Sequence, residues 1–276
     1  MTNITILGAG AMGSRMAINL LEAGYAVTVF NRTQKRALAL QQGGALVSAS
    51  PIEAVKDADI ILSMVRDDEA SSAIWLDQKT GALSGLQKNA IAIECSTLSL
   101  DWCLQLAAHV KNAGAYFLNA PVIGSRPQAE AGQLIHLVGG DAPVLERARN
   151  VLGAGAAAIH HLGPVGSGMS MKLAANGIFG MQVAALGEIL CMLEQAGISR
   201  KSAIDILNEL PVTSPVLKGI GSLMSTDNHT PLFPVDLVEK DFAYVQRLAE
   251  NTPLDPLMIT AARKSYQAAK SKNPRS

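Results

Sequence analysis

A hexapeptide with three glycines, Gly8-Ala9-Gly10-Ala11-Met12-Gly13, stands between an apolar run, Asn3–Leu7, and an amphipathic one beginning at Ala11. A strand, a G-x-G-x-x-G turn and a helix in that order leave few folds open. Gly8 suits the tight turn, Gly10 a close backbone approach to a pyrophosphate, and Gly13 close packing of helix on strand. Phosphates would then lie against the N–H groups and positive dipole end of the helix, cradled by Gly8, Gly10, Ala11, Met12 and Gly13. The bland alternative is an ordinary strand–turn–helix connection that happens to be rich in glycine.

The pattern downstream supports the dinucleotide reading. Strands are predicted at Asn3–Leu7, Ala26–Phe30, Asp59–Val65, Ala90–Glu94, Ala115–Leu118, Leu134–Val138 and Ala157–His161. Helices are predicted at Ala11–Glu22, Thr33–Gln42 and Leu100–Asn112. Strands alternating with helices imply a doubly wound parallel sheet, and the nearly continuous apolar strands imply a sheet covered on both faces. The pattern then changes. One proline-free helix is expected from Ser167 to about Ala196, stopped by Gly197. More helices follow from Ser199, at Ser214–Met224, Val235–Glu250 and Leu254–Lys270, punctuated by Pro231, Pro234, Pro253 and Pro256. The expected fold is α/β: a Rossmann-type domain over 1–163, then an all-helical domain over 164–276, joined by the long helix. The polar tail 271–276 is expected to fray.

The whole chain is 276 residues, 49% hydrophobic, with 23 basic and 23 acidic residues. Zero net charge gives no electrostatic reason to bind nucleic acid. Cys95, Cys103 and Cys191 are too scattered for a disulfide framework or zinc cage and fit a reducing cytoplasm. No targeting segment is visible at the N-terminus. The charge-free run between Arg149 and Lys172 is broken by histidines, Pro164 and glycines, so no membrane span is expected. His160 and His161 are adjacent on a strand and point to opposite faces, while His109, His136 and His229 lack ligand spacing; no metal is expected.

The end of the second strand bears on cofactor choice. An acidic residue there would accept from ribose hydroxyls; this chain has Asn31-Arg32-Thr33. Asn31 does not repel a 2′-phosphate, Arg32 can pair with it and stack on adenine, and Thr33 can add a hydroxyl. NADPH is therefore expected over NADH. A surface arginine at a strand end is the plain alternative.

Four separated motifs resemble the β-hydroxyacid dehydrogenase family of 3-hydroxyisobutyrate, tartronate semialdehyde and glyoxylate/succinic semialdehyde enzymes. The first runs from Gly8 to Leu20. The second, Asn119-Ala120-Pro121-Val122-Ile123-Gly124-Ser125-Arg126, is similar to the family's substrate-binding D-x-P-V-S-G-G segment. The third, from Gly163 to Asn176, is similar to its catalytic helix, and Lys240-Asp241-Phe242 to its K-D motif near the cofactor. The resemblance covers nearly the whole chain and implies a homodimer or homotetramer.

Lys172 and Asn176 are four apart on one helix face. From the residues alone, a lysine snorkelling to the surface is the simpler reading. The resemblance instead implies catalysis: burial would lower the Lys172 pKa, and the lysine would stabilise and protonate an oxyanion while Asn176 held both in register. It also implies that Thr97 lies near nicotinamide and substrate, although Ser96-Thr97 could serve as helix caps, as Ser99 could. Met64 and Val65 would line the cofactor groove or simply pack the core. Lys240 would meet the cofactor. Phe233 would reach the substrate pocket. Asp241 would orient Lys172 or meet the cofactor, unless it is an exposed helix charge.

Departures from the family pattern carry information. Ile123 stands where a serine would bond the substrate carboxylate. Val122 and the backbone N–H groups of Gly124 and Ser125 remain as substrate contacts, with Arg126 close in sequence, so an apolar substrate portion is expected. Asn119 replaces an acid with no obvious consequence. 6-Phosphogluconate dehydrogenase has a glutamate seven residues after the lysine, where this chain has Phe179, so oxidative decarboxylation is disfavoured. The expected substrate is a small carbonyl or hydroxy compound. Imine reductases share the architecture but usually lack the lysine, and Ile123 keeps an imine substrate open. A sensor that binds NADP without chemistry is a third reading, opposed by Lys172 and Asn176.

Overall fold

A computed structural model describes residues 2–226, 232–250 and 252–272. The chain divides into two compact units, 1–172 and 173–276. His229, Pro231 and the tail from 273 lie outside the described residues.

In the first unit six strands form one parallel sheet. They are β1 (Asn3–Leu7), β2 (Ala26–Phe30), β3 (Leu46–Val47), β4 (Ile60–Ser63), β5 (Ile91–Glu94) and β6 (Tyr116–Asn119). Their order, β3-β2-β1-β4-β5-β6, reverses direction beside β1, so β1 and β4 flank the switch point where ligands of such sheets bind. The register brings Leu7 beside both Phe30 and Ser63. Thus the carboxyl ends of β2, β1 and β4 lie level. Ile4, Ile6, Leu7, Ile61, Leu62, Ile91 and Ile93 are buried, as strands covered on both faces should be.

The helices of this unit are α1 (Gly13–Glu22), α2 (Gln34–Leu38), α3 (Pro51–Val55), α4 (Asp68–Leu76), α5 (Leu100–Asn112), α6 (Arg126–Glu130) and α7 (Ala142–Gly153). Their starts are chemically marked. Ser50 Oγ accepts from Glu53 N with Pro51 next in line, Asp67 accepts from Ala70 N, and Ser99 Oγ accepts from Trp102 N. The expected helix Thr33–Gln42 is shorter: α2 ends early, a 3-10 turn covers Gln41–Gly43, and Gly44 takes a left-handed φ of 95°.

The last expected strands do not extend the parallel sheet. β7 (Val122–Ile123), β8 (Leu134–Val138) and β9 (Ala156–His161) make a second, three-stranded sheet. β7 and β8 pair antiparallel, and β8 and β9 parallel. After β6 the chain passes through Ala120-Pro121 and pairs at once with β8, while Asn119 and Gly139 exchange both backbone bonds, at 3.0 and 2.8 Å. That bridge joins the two sheets.

The long helix α8 (Ser167–Gln195) begins in the first unit and continues in the second. It ends before Gly197, whose φ of 85° matches a glycine stop. By length and composition it could cross a bilayer: its most apolar 18-residue stretch has a mean hydropathy of 1.4, and 28% of that stretch is buried in this chain. Ile178, Ile189 and Met192 are exposed along it.

The second unit adds α9 (Arg200–Glu209), α10 (Pro215–Ser225), α11 (Val235–Ala249) and α12 (Leu257–Lys272). One small core gathers Leu186, Leu190, Ala203 and Ile204. Another gathers Val238, Phe242, Ala262 and Tyr266. Gly180 is required by the second: a Cβ there would stand 2.5 Å from the Phe242 ring. Tyr266 fixes the same contact by donating to Gly180 O at 2.9 Å.

Candidate active site

The three glycines of the turn have different jobs. Gly8 has φ 105°, and a Cβ on it would lie 2.3 Å from Met64 O. A Cβ on Gly13 would lie 1.9 Å from Gly8 O. Both are demanded by the protein's own packing. Apart from its two chain neighbours, a Cβ on Gly10 would meet no protein atom within 4 Å, so packing inside the chain does not explain this glycine. Met12 precedes α1 without a side-chain cap. A bare helix start beside open space over Gly10, at the sheet's switch point, fits a dinucleotide pyrophosphate.

Asn31 does more than avoid repulsion. Its Oδ1 accepts from Ala9 N at 2.9 Å and its Nδ2 donates to Thr33 O at 2.9 Å. The side chain therefore braces the glycine turn against the start of α2, with Arg32 and Thr33 exposed beside it. Met64 N donates to Leu7 O, and Val65 N donates to Ser96 Oγ at 2.8 Å. Met64, Val65 and Thr97 are half-buried. The loops after β1, β4 and β5 are thus brought together.

The start of α8 is fixed inside the first unit. Asn119 Oδ1, at the end of β6, accepts from Gly166 N at 2.7 Å. Leu98 N donates to Met169 Sδ at 3.3 Å, tying the first turn of α8 to the Thr97 loop. A Cβ on Gly168 would lie 2.1 Å from Leu137 O, so the helix backbone lies directly against β8. Lys172 follows Met169 by three residues and is 8% exposed. Asn119, whose exchange for an acid had no evident consequence in sequence, docks the helix that carries Lys172.

Asn176, one turn further, donates to Asp241 Oδ2 at 2.6 Å. Asp241 is 3% exposed, so it is not the free helix charge that one reading allowed. Lys240 Nζ is 2.9 Å from Asp241 Oδ1 and sits over the Tyr244 ring at 4.7 Å. Asn176 and Asp241 are buried and Lys240 half-buried, and together they form a polar group within the second unit. Phe233 stacks on Phe179, with ring centroids 5.9 Å apart.

In the β7 segment Val122 is buried, Ile123 half-buried, and Gly124 exposed with φ 123°. The Ser125 N–H expected to be available is engaged: Ser125 N and Oγ both donate to Gln128 Oε1, each at 3.0 Å. The spacing Ser125-x-x-Gln128 is a capping-box signature that the sequence displays. His161 Nε2 bonds Gly140 O at 2.7 Å. Among the described residues, no three His, Cys, Asp or Glu side chains gather as metal ligands do.

Residues 3–163 match the NAD binding domain of 6-phosphogluconate dehydrogenase, and residues 166–276 the NAD-binding domain of NADP-dependent 3-hydroxyisobutyrate dehydrogenase. Glyoxylate/succinic semialdehyde reductase 1 of Arabidopsis thaliana is 33% identical over 271 residues, covering 97% of this chain and 92% of that protein. The chain belongs to the β-hydroxyacid dehydrogenase family. This is a family of NAD(P)-dependent dehydrogenases and reductases. The solved structure of Mycobacterium tuberculosis 3-hydroxyisobutyrate dehydrogenase with L-serine has a TM-score of 0.88 at 28% identity, over 98% of this chain and 94% of that one. An imine reductase from Pseudomonas sp. shares the fold at a TM-score of 0.67 and 22% identity, over 98% and 94% of the two chains.

Proposed function

We propose that this family member is an NADPH-preferring oxidoreductase that interconverts a small aldehyde or keto compound with its alcohol or hydroxy acid, using Lys172 as general acid and base. The observation that carries this reading is the pairing of a buried lysine with an anchored amide. Lys172 is 8% exposed on a helix docked by Asn119 and Met169, and Asn176 follows on the same face, fixed by Asp241.

Gly8, Gly10, Ala11, Met12 and Gly13 would hold the pyrophosphate, Met64, Val65 and Thr97 would line the groove, and Lys240 would approach the cofactor. Arg32 and Thr33 would take a 2′-phosphate, with Asn31 keeping them in place. When bound, the nicotinamide supplies or accepts the hydride. Lys172 Nζ gives its proton to the substrate oxygen as the carbonyl becomes an alcohol, and takes it back in oxidation. Asn176 orients that oxygen through its amide, and Asp241 stops the amide from turning. Phe233 would close the apolar side of the pocket. The exposed Ile178, Ile189 and Met192 support burial of α8 in a homodimer or homotetramer.

The β7 segment favours an apolar substrate portion. Ile123 cannot donate to a carboxylate, and Gln128 already takes the Ser125 N–H. The same observation supports the second reading, reduction of an imine. A panel of aldehydes, keto acids and cyclic imines, assayed with NADPH and NADH, tests both. Carbonyl turnover with NADPH as the better cofactor is expected. Turnover of imines alone would replace the first reading by the second, and better kinetics with NADH would contradict the cofactor assignment.

A further inference from the structure

Glu94 is the one carboxylate at the carboxyl end of β5, it is 0% exposed, and the chemistry above does not use it. Three donors converge on it. Ser96 N donates to Oε1 at 3.0 Å, while Ser71 Oγ and Trp75 Nε1 donate to Oε2 at 3.1 and 3.3 Å. The last two come from α4, so the carboxylate joins α4 to the loop after β5. Burial pushes the Glu94 carboxyl up, and the bonds from Ser96 and Trp75 pull it back down.

The bonds continue outward. Ser96 Oγ accepts from Val65 N at 2.8 Å. Asp68 accepts from Ser99 N at 2.9 Å and from Ser99 Oγ at 2.6 Å, a second tie between the same two loops. Met64 and Val65 in turn touch the glycine turn: their atoms lie 2.3 and 3.2 Å from where a Gly8 Cβ would be. The sheet order sets which half of a dinucleotide these loops face. With the pyrophosphate over β1 and the adenosine beside Asn31–Thr33 at the end of β2, the other half lies over β4 and β5.

We infer that Glu94 is a positioning residue for the nicotinamide half of the cofactor groove, holding the loops after β4 and β5 in register through Ser96. This rests on the reading of the groove as a dinucleotide site. Its acceptor-only character matters, because all three contacts present N–H or O–H groups. In Glu94→Gln the new NH2 must confront one of those donors, with little change in volume.

The test compares two ligands on the purified full chain. NADPH spans the groove, whereas 2′,5′-ADP occupies only the adenine side. For Glu94→Gln we expect the NADPH Kd to rise by roughly tenfold, the scale of one bond to a charged group, and the 2′,5′-ADP Kd to stay within about twofold. A merely structural role would move both ligands together. Equal weakening of both, or of neither, overturns the inference. Ser96→Ala keeps the question open to refutation if Glu94→Gln fails to fold. It removes what the Ser96 hydroxyl bonds, Val65 N and the Glu94 carboxylate, and should show the same split, and its absence overturns the inference. Should the native chain bind neither ligand, the dinucleotide reading itself fails, an outcome distinct from a native chain that binds both and variants without the split.

Discussion

Single side chains in this protein do work that their neighbours do not advertise. Ile123 is half-buried in β7 and offers no donor, and the nearby Ser125 N–H and Oγ are both spent on Gln128. Ile123→Ser should restore a donor and raise kcat/KM for glyoxylate or succinic semialdehyde by roughly tenfold, one charge-assisted bond. Steady-state kinetics that show no gain would contradict the role given to Ile123. His136 shows how burial sets acid sensitivity. Its Nδ1 donates to Ala120 O at 3.2 Å, and it stands among Met16, Leu20, Leu62 and Leu134. Burial lowers its pKa from 6.5 to about 4, against the opposing bond to Ala120. The folded imidazole is therefore neutral where the unfolded one is charged. Its contribution is complete above pH 6.5 and declines as pH falls toward about 4, by about 3 kcal/mol in total. His136→Leu should flatten the fall in Tm between pH 7 and pH 5. An unchanged slope would assign the acid sensitivity elsewhere.

Among the elements, the glycine turn and α8 are the two that carry the proposed chemistry. The turn was legible because each glycine sits at a spacing with a mechanical reason, and β1, β2 and α5 appear at the residues their apolar patterns predict. The second sheet was not legible. Leu134–Val138 reads as a buried strand in either sheet, and only the immediate antiparallel pairing after Pro121 assigns it to β7. The dock of α8 was hidden as well, since Asn119 and Gly166 are distant in sequence and an amide in place of an acid gives no hint of an acceptor role. The Lys172–Asn176 spacing was visible, but Asp241 as the partner of Asn176 is a tertiary fact. The turn yields a sharp contrast. Gly10→Ala should leave Tm unchanged, because a Cβ there meets nothing within 4 Å, yet weaken NADPH binding. Gly13→Ala should destabilise the fold by roughly 1–3 kcal/mol, since its Cβ collides with backbone. Thermal melts beside NADPH titrations check both, and a Gly10→Ala variant that binds NADPH normally would remove the phosphate from that space.

At the scale of the whole molecule, equal numbers of acids and bases leave no net charge, and the proposed function rests on a few placed charges. Arg32 stands at the end of β2, Lys172 on a docked helix, and Lys240 with Asp241 in the second unit's polar group. In the proposed function each of the two units carries its own part: the first the glycine turn and the lysine, the second the anchor for Asn176. The most direct measurement is therefore kcat of Lys172→Ala against the native chain, on the best carbonyl substrate with saturating NADPH, beside the NADPH Kd of each. We expect a loss of at least about 100-fold in kcat, the lower range for a positioned proton donor, with the NADPH Kd little changed. Retention of kcat within about tenfold would contradict it.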